Sequence, residues 1–332
     1  MQHGRKEEHD EMGLETNADC HMEAFSYVAL LKACAKNKDI ERGTKVHTTI
    51  VKKGLLIKRS ALYLASTLIH MYGKCGEVSK AHEVLKDLLV RDAVIWNALI
   101  SGYAQNQQGF KALNCFERMQ CEGISPNVIT FVCILRACGS IKCLEKGKQV
   151  HESILNAHVL DMCNLDPGTS DISTSNECIV NKEEDIVTVG TSLIDMYGKC
   201  GAVDEAQKVL EGLCFRNVVT WNALITGYVH QGQDHRAMDC FEIMQNEGLT
   251  PNEVTFICIL KSCGNIGCIE QGEKIHKEIL SRGLLKKDIV VGNALVTMYA
   301  KCGMLAKARN LLQELPFCDK VSWNVIISEH VK

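Results

Sequence analysis

Within residues 93–127 the apolar positions step at helical spacing twice. Leu99, Ile100 and Tyr103 make one run and Ala112, Phe116 and Met119 the next, with the polar string QNQQG between them and GISPN behind. That pattern predicts a helix, a turn, a second helix and a loop. One such pair cannot bury its own apolar face, so neighbouring pairs must stack to make a core. The pattern recurs on a fixed ruler. MYGKCG stands at 71–76 and 196–201 and MYAKCG at 298–303, spaced by 125 and 102 residues, and Trp96-Asn97, Trp221-Asn222 and Trp323-Asn324 keep the same spacings. A 102-residue superperiod of three helix pairs, 35, 36 and 31 residues long, therefore carries one 23-residue insertion. The expected fold is an all-α solenoid.

Markers on either side place the insertion between His151 and Thr191. Its text, LDMCNLDPGTSDISTSNECIVNKEED, is rich in Asp, Asn, Ser and Thr with one Pro-Gly, which predicts a mobile surface loop at about 157–185. Residues 1–23 predict a disordered N-terminal segment. They hold no apolar stretch for a signal peptide and are too acidic for a usual transit peptide.

Composition changes this picture little. Of 332 residues 46% are hydrophobic and only four are proline, which leaves long stretches free to be helical. The net charge of −3 argues mildly against a polyanionic partner, although a solenoid can segregate its charges by face. No run of 18 apolar residues exists, so no membrane span is expected. Twelve of the 18 cysteines fall at equivalent repeat positions, among them Cys34, Cys138 and Cys263, and Cys75, Cys200 and Cys302. No C-x-x-C occurs and no zinc spacing is met, so free thiols serving as small core residues are expected and no metal or cofactor is.

The unit WNALISGYAQNQQGFKALNCFERMQCEGISPN, the paired strings VITFVCILRACG and VTFICILKSCG, GKQVH ending at His151 and the MYGKCG strings together resemble the pentatricopeptide repeat (PPR) family. The likeness is to the plant PLS subclass, whose P, L and S motifs alternate at 35, 36 and 31 residues, and it covers residues 24–332. The register runs L from Ala24, S over 62–92, P over 93–127, L with the insertion from Val128, S over 187–217, P over 218–252, L over 253–288 and S over 289–319. A last P begins at Lys320 and stops after 13 residues, inside its first helix and without a cap, which predicts a fragment of a longer chain. The resemblance implies a right-handed α-solenoid, or superhelix.

It also implies a function. Repeats of this family read single-stranded RNA one base per unit, through the fifth and last residues of each unit. Here those are Ser66 and Asp92, Asn97 and Asn127, Thr191 and Asn217, Asn222 and Asn252, and Asn293 and Asp319, with Asn324 opening the last unit. All are short and polar. An aspartate only accepts, which suits the imino N–H of uracil or guanine; an asparagine can donate to the bare ring nitrogen of cytosine or adenine. With asparagine at the fifth position implying a pyrimidine and Ser or Thr a purine, the units read G-Y-n-A-Y-n-U. Second residues Val94, Val219, Val254, Val290 and Val321 would wedge against base faces, or simply pack at helix starts. The L units carry Val28, Val132 and Ile257 at position five, which cannot bond a base edge, so they space rather than specify. Helix capping is the competing account of the short polar residues.

Catalysis is not expected. A zinc deaminase needs H-x-E followed by P-C-x-x-C; His276-Lys277-Glu278 and His21-Met22-Glu23 match the first element and nothing matches the second. The resemblance therefore points to a chloroplast or mitochondrial RNA-processing factor, a C-to-U editing specificity factor first, with any deaminase or editing cofactor protein supplied by a missing C-terminus or in trans. The rival expectation is a protein-binding solenoid of the tetratricopeptide type, and near-neutral charge is the best argument for it.

Overall fold

The structure, a computed structural model, describes residues 24–56, 62–157, 159–160, 176–315 and 323. Among these residues all regular elements are helical and no strand occurs. Two compact units divide the chain between Ile141 and Lys142. The first holds α1 (24–37), α2 (Ile40–Lys52), α3 (Leu62–Lys74), α4 (Val78–Asp87), α5 (Ala93–Gln105), α6 (Gly109–Cys121) and α7 (Val128–Ser140). The second holds α8 (Leu144–Asn156), α9 (Asn176–Lys199), α10 (Val203–Gly212), α11 (Val218–His230), α12 (Asp234–Asn246), α13 (Glu253–Ile266), α14 (Ile269–Ser281), α15 (Ile289–Lys301) and α16 (Leu305–Glu314).

Inside each unit the first helix of a repeat packs on its own second helix and on the first helices before and after it. Thus α5 touches α3, α6 and α7, and α11 touches α9, α12 and α13. Trp96, Leu99 and Ile100 are wholly buried between such neighbours, which is the stacking that the isolated pair requires. The second helices explain the 31-residue repeats. They run 13 residues in α6, α12 and α14 but only 10 in α4, α10 and α16. The short ones leave the helix at Leu88, Leu213 and Leu315 with extended backbone, so the missing length is chiefly the last helical turn.

The string MYGKCG has a packing reason at nearly every letter. Methionines 71, 196 and 298 are fully buried in slots over Gly43, Gly147 and Gly272; an added Cβ there would lie 2.6, 2.3 and 2.6 Å from their Sδ atoms. The next residue, Tyr72, Tyr197 or Tyr299, shares a hydrogen bond of 2.8–2.9 Å with Nδ1 of His47, His151 or His276. Gly73 and Gly198 let the following helix approach, since a Cβ on either would sit 3.1 Å from the Cα of Gly102 or Gly227. The cysteine thiol rests 3.8–3.9 Å from that methionine's sulfur, and the closing Gly76, Gly201 or Gly303 turns the chain at positive φ.

The structure corrects one sequence expectation. Residues 176–185, expected in the surface loop, are helical: α9 runs 24 residues and starts eleven ahead of its repeat. The stretch from Asn176 to Val189 has neither proline nor glycine, so no helix breaker stops the repeat helix from growing backwards. The expected disordered segment 1–23, most of the insertion, and Asp319, Val321 and Asn324 lie outside the described residues. Among the described cysteines Cys34, Cys115, Cys133, Cys240 and Cys263 are free thiols and buried, and burial pushes the Cys240 and Cys263 thiols up to about 12. Cys214 departs from the free-thiol expectation and is disulfide-bonded. No described helix is long and apolar enough to cross a membrane.

Candidate functional site

The second residue of each repeat faces outward. Val94, Val219, Val254 and Val290 are 57%, 55%, 51% and 51% exposed. Packing at a helix start does not account for side chains that are more than half bare to solvent. The same position in other repeats holds Phe25, Tyr63 and Ile129, exposed by 66%, 52% and 61%. Within each compact unit, apolar residues thus recur in solvent at one repeat position, which makes that position a candidate contact surface.

Fifth residues stand one helical turn along the same face and lie deeper. Ser66, Asn97 and Asn222 are only 6–7% exposed. The last residue of a repeat is the N-cap of the next repeat's first helix, and it caps by side chain: Asp92 Oδ1 accepts Ile95 N–H at 2.9 Å, and Asn127, Asn217 and Asn252 accept the N–H of Thr130, Thr220 and Thr255 at 3.0–3.1 Å. In the 35-residue repeats fifth and last residues also touch. Asn97 Nδ2 donates to Asn127 Oδ1 at 3.0 Å, and Asn222 Nδ2 to Asn252 Oδ1 at 2.9 Å. The cap consumes one arm of the last residue and leaves the other. Asparagine then has N–H to offer, aspartate a second carboxylate oxygen.

In the first compact unit these residues line an open groove of about 540 Å³. Ser66, Asn97 and Asn127 line it together with Val94, Ile129, His70 and Lys32. Side chains at positions 2, 5 and 9 of successive first helices thus converge on one groove.

Not every pair is joined. Ser66 Oγ donates to Tyr63 O at 2.9 Å rather than to Asp92, and Thr191 Oγ1 is buried without a hydrogen-bond partner. Asn293 is described, but its partner Asp319 is not. Among the L-type fifth residues Val28 is 6% exposed, a core side chain. Arg91 pairs with Glu122 at 2.8 Å and Arg216 with Glu247 at 2.9 Å.

The PPR repeat profile matches 25–55, 64–92, 191–218, 254–284 and 293–318, and the profile named PPR repeat family matches 91–140 and 216–265. The chain belongs to the pentatricopeptide repeat family. A putative pentatricopeptide repeat-containing protein of Arabidopsis thaliana is 34% identical over 91% of this chain and 50% of its own length. A chloroplastic one is 32% identical over 93% and 45%, and a putative mitochondrial one 32% over 92% and 44%. The chain thus spans about half the length of the curated relatives it matches. Among solved structures, the pentatricopeptide repeat protein PPR10 with an 18-nt psaJ RNA element aligns at TM-score 0.65 and 17% identity, over 87% of this chain and 40% of that one. PPR10 from maize aligns at 0.57 and 18%, over 91% and 46%. At that identity the likeness is one of fold.

Three exposed apolar residues of these pentatricopeptide repeats escape a search for recurrent valines. Phe25, Tyr63 and Ile129 share the second position but differ in residue type, so the aligned register finds them where a motif does not. A sequence motif misses Lys32 as well, which lines the groove and donates to Tyr63 Oη at 2.9 Å.

Proposed function

We propose that this chain is a sequence-specific single-stranded RNA-binding array of the PLS subclass that acts in organellar RNA processing, with editing-site recognition as its specific task and any deaminase or editing cofactor protein supplied by a further part of a longer chain or in trans. Each 31- and 35-residue repeat reads one base through its fifth and last residues: Ser66 with Asp92, Asn97 with Asn127, Thr191 with Asn217, Asn222 with Asn252, and Asn293 with Asp319, with Asn324 beginning the next. Val94, Val219, Val254, Val290 and Val321 stack against base faces, joined by Phe25, Tyr63 and Ile129. The observation that carries the reading is the groove itself, where half-satisfied polar arms alternate with exposed apolar side chains. A base has that same duality, an apolar face and a hydrogen-bonding edge. The chloroplastic and mitochondrial names of relatives support an organellar setting.

The test is a titration of labelled RNA containing G-C-n-A-C-n-U against a scrambled control at stated, moderate salt. Tighter binding to the matched RNA is expected. Equal or absent binding to both would favour the protein-binding solenoid, for which the net charge of −3 speaks.

A further inference from the structure

Polar arms in the groove are not equally free to turn, and in the 35-residue repeats a third residue decides which way they point. Thr130, third in the repeat that follows, donates its hydroxyl to Asn97 Oδ1 at 2.7 Å and accepts the N–H of Asn127 at 3.1 Å. Thr255 makes the same two bonds to Asn222 and Asn252, at 2.7 and 3.1 Å. Asn127 Oδ1 meanwhile accepts Thr130 N–H and Asn97 Nδ2, both at 3.0 Å. Turning Asn127 over would set its Nδ2 against the Thr130 N–H, and turning Asn97 over would set its Oδ1 against Asn127 Oδ1; either flip forfeits bonds that the present orientation makes.

Both amides are therefore held with oxygen inward. What remains for a ligand is N–H alone: Asn127 and Asn252 Nδ2, which bond nothing among the described residues, and the second hydrogen of Asn97 and Asn222 Nδ2. Cytosine offers two adjacent acceptors, the bare N3 and O2. Uracil places an N3–H where those donors point. The 31-residue repeats lack this device at Asp92, where the third residue is Ile95 and no hydroxyl is available.

We infer that Thr130 and Thr255 are specificity-positioning residues that lock the two asparagine pairs as donor-only readers and so select cytosine over uracil. The inference rests on the RNA reading proposed above. It touches no base itself; it acts through the amides.

The experiment uses the full chain and RNAs that differ only by C or U opposite the 93–127 repeat. Wild type is expected to prefer C. Thr130→Val, which keeps the shape and removes the hydroxyl, should lower the C-to-U affinity ratio at that position several-fold and leave the ratio opposite 218–252 unchanged; Thr130→Ser should restore it. Thr255→Val gives the mirror-image result and serves if Thr130→Val does not fold. A uniform loss of affinity with an unchanged ratio would make the threonines structural only and overturn the inference while the RNA reading stands. Wild type that discriminates no RNA from its scramble would overturn the RNA reading and the inference with it.

Discussion

Asn97 and Asn127 are 30 positions apart in the chain and joined by a 3.0 Å hydrogen bond from the amide of the first to the oxygen of the second. Asn222 and Asn252 repeat that bond at 2.9 Å. Capping and base reading, which compete as accounts of these residues in the sequence, are thus compatible in the structure. The cap fixes one arm of the last residue, and fixing it is what gives the other arm a defined chemical sense.

The exposed second-position side chains should matter for binding and not for stability. Val94→Ser with Val219→Ser removes apolar surface that is more than half solvated in the free chain, so thermal unfolding should move little. RNA affinity should fall several-fold irrespective of base identity, because stacking reads no edge. A large drop in Tm with unchanged affinity would assign these valines to the core.

Glycines over the methionine slots carry the opposite expectation. In Gly272→Ala the new Cβ falls 2.6 Å from Met298 Sδ, and in Gly198→Ala it falls 3.1 Å from the Gly227 backbone. Overpacking of this kind costs about 1–3 kcal/mol. Urea unfolding measures it, and midpoints equal to wild type would show that the helices separate freely.

Stability should decline in mild acid. Burial holds His47, His151 and His276 below the ordinary 6.5. Acidic neighbours such as Asp87, Glu205 and Glu314 oppose the shift without reversing it. The unfolded chain then takes up protons first as pH falls, so this contribution is complete above about pH 6.5 and is lost on the way down through the folded values. Unfolding free energy measured at pH 7.5 and pH 5.5 should show the loss. A triple His→Asn variant should flatten it; an equal slope in that variant would clear the histidines.

One turn is improvable. Gln107 has φ 58, where the matching residue of the other 35-residue repeat is Gly232 at φ 70. A side chain there costs about 1–2 kcal/mol, partly offset by the entropy that glycine loses on folding. Gln107→Gly should therefore stabilise by up to about 1 kcal/mol in urea unfolding, and a destabilised variant would contradict the strain.

Much of this was legible in the chain because a repeat prints its interfaces several times. The strings GKQVH and MYGKCG are two halves of one contact, Gly147 and His151 meeting Met196 and Tyr197, and their recurrence reports a shared packing solution without showing it. The positions proposed to read bases come from the family resemblance, laid on the same ruler. What the sequence could not show was the direction of each polar arm, since that depends on Thr130 and Thr255 reaching across a repeat boundary. Nor did composition reveal α9, because a polar insertion free of proline and glycine can extend a helix as well as form a loop.

The central claim is that the arm left free by the cap reads the base, and exchanging that arm tests it most directly. Asp92→Asn and Asn217→Asp swap acceptor and donor in the two repeats whose fifth residues are Ser66 and Thr191, while keeping an oxygen for each cap. Measured against RNAs carrying G or A opposite each repeat, preference should move from G to A at the first and from A to G at the second. Preferences that stay where they were in wild type, in folded variants, would contradict the account.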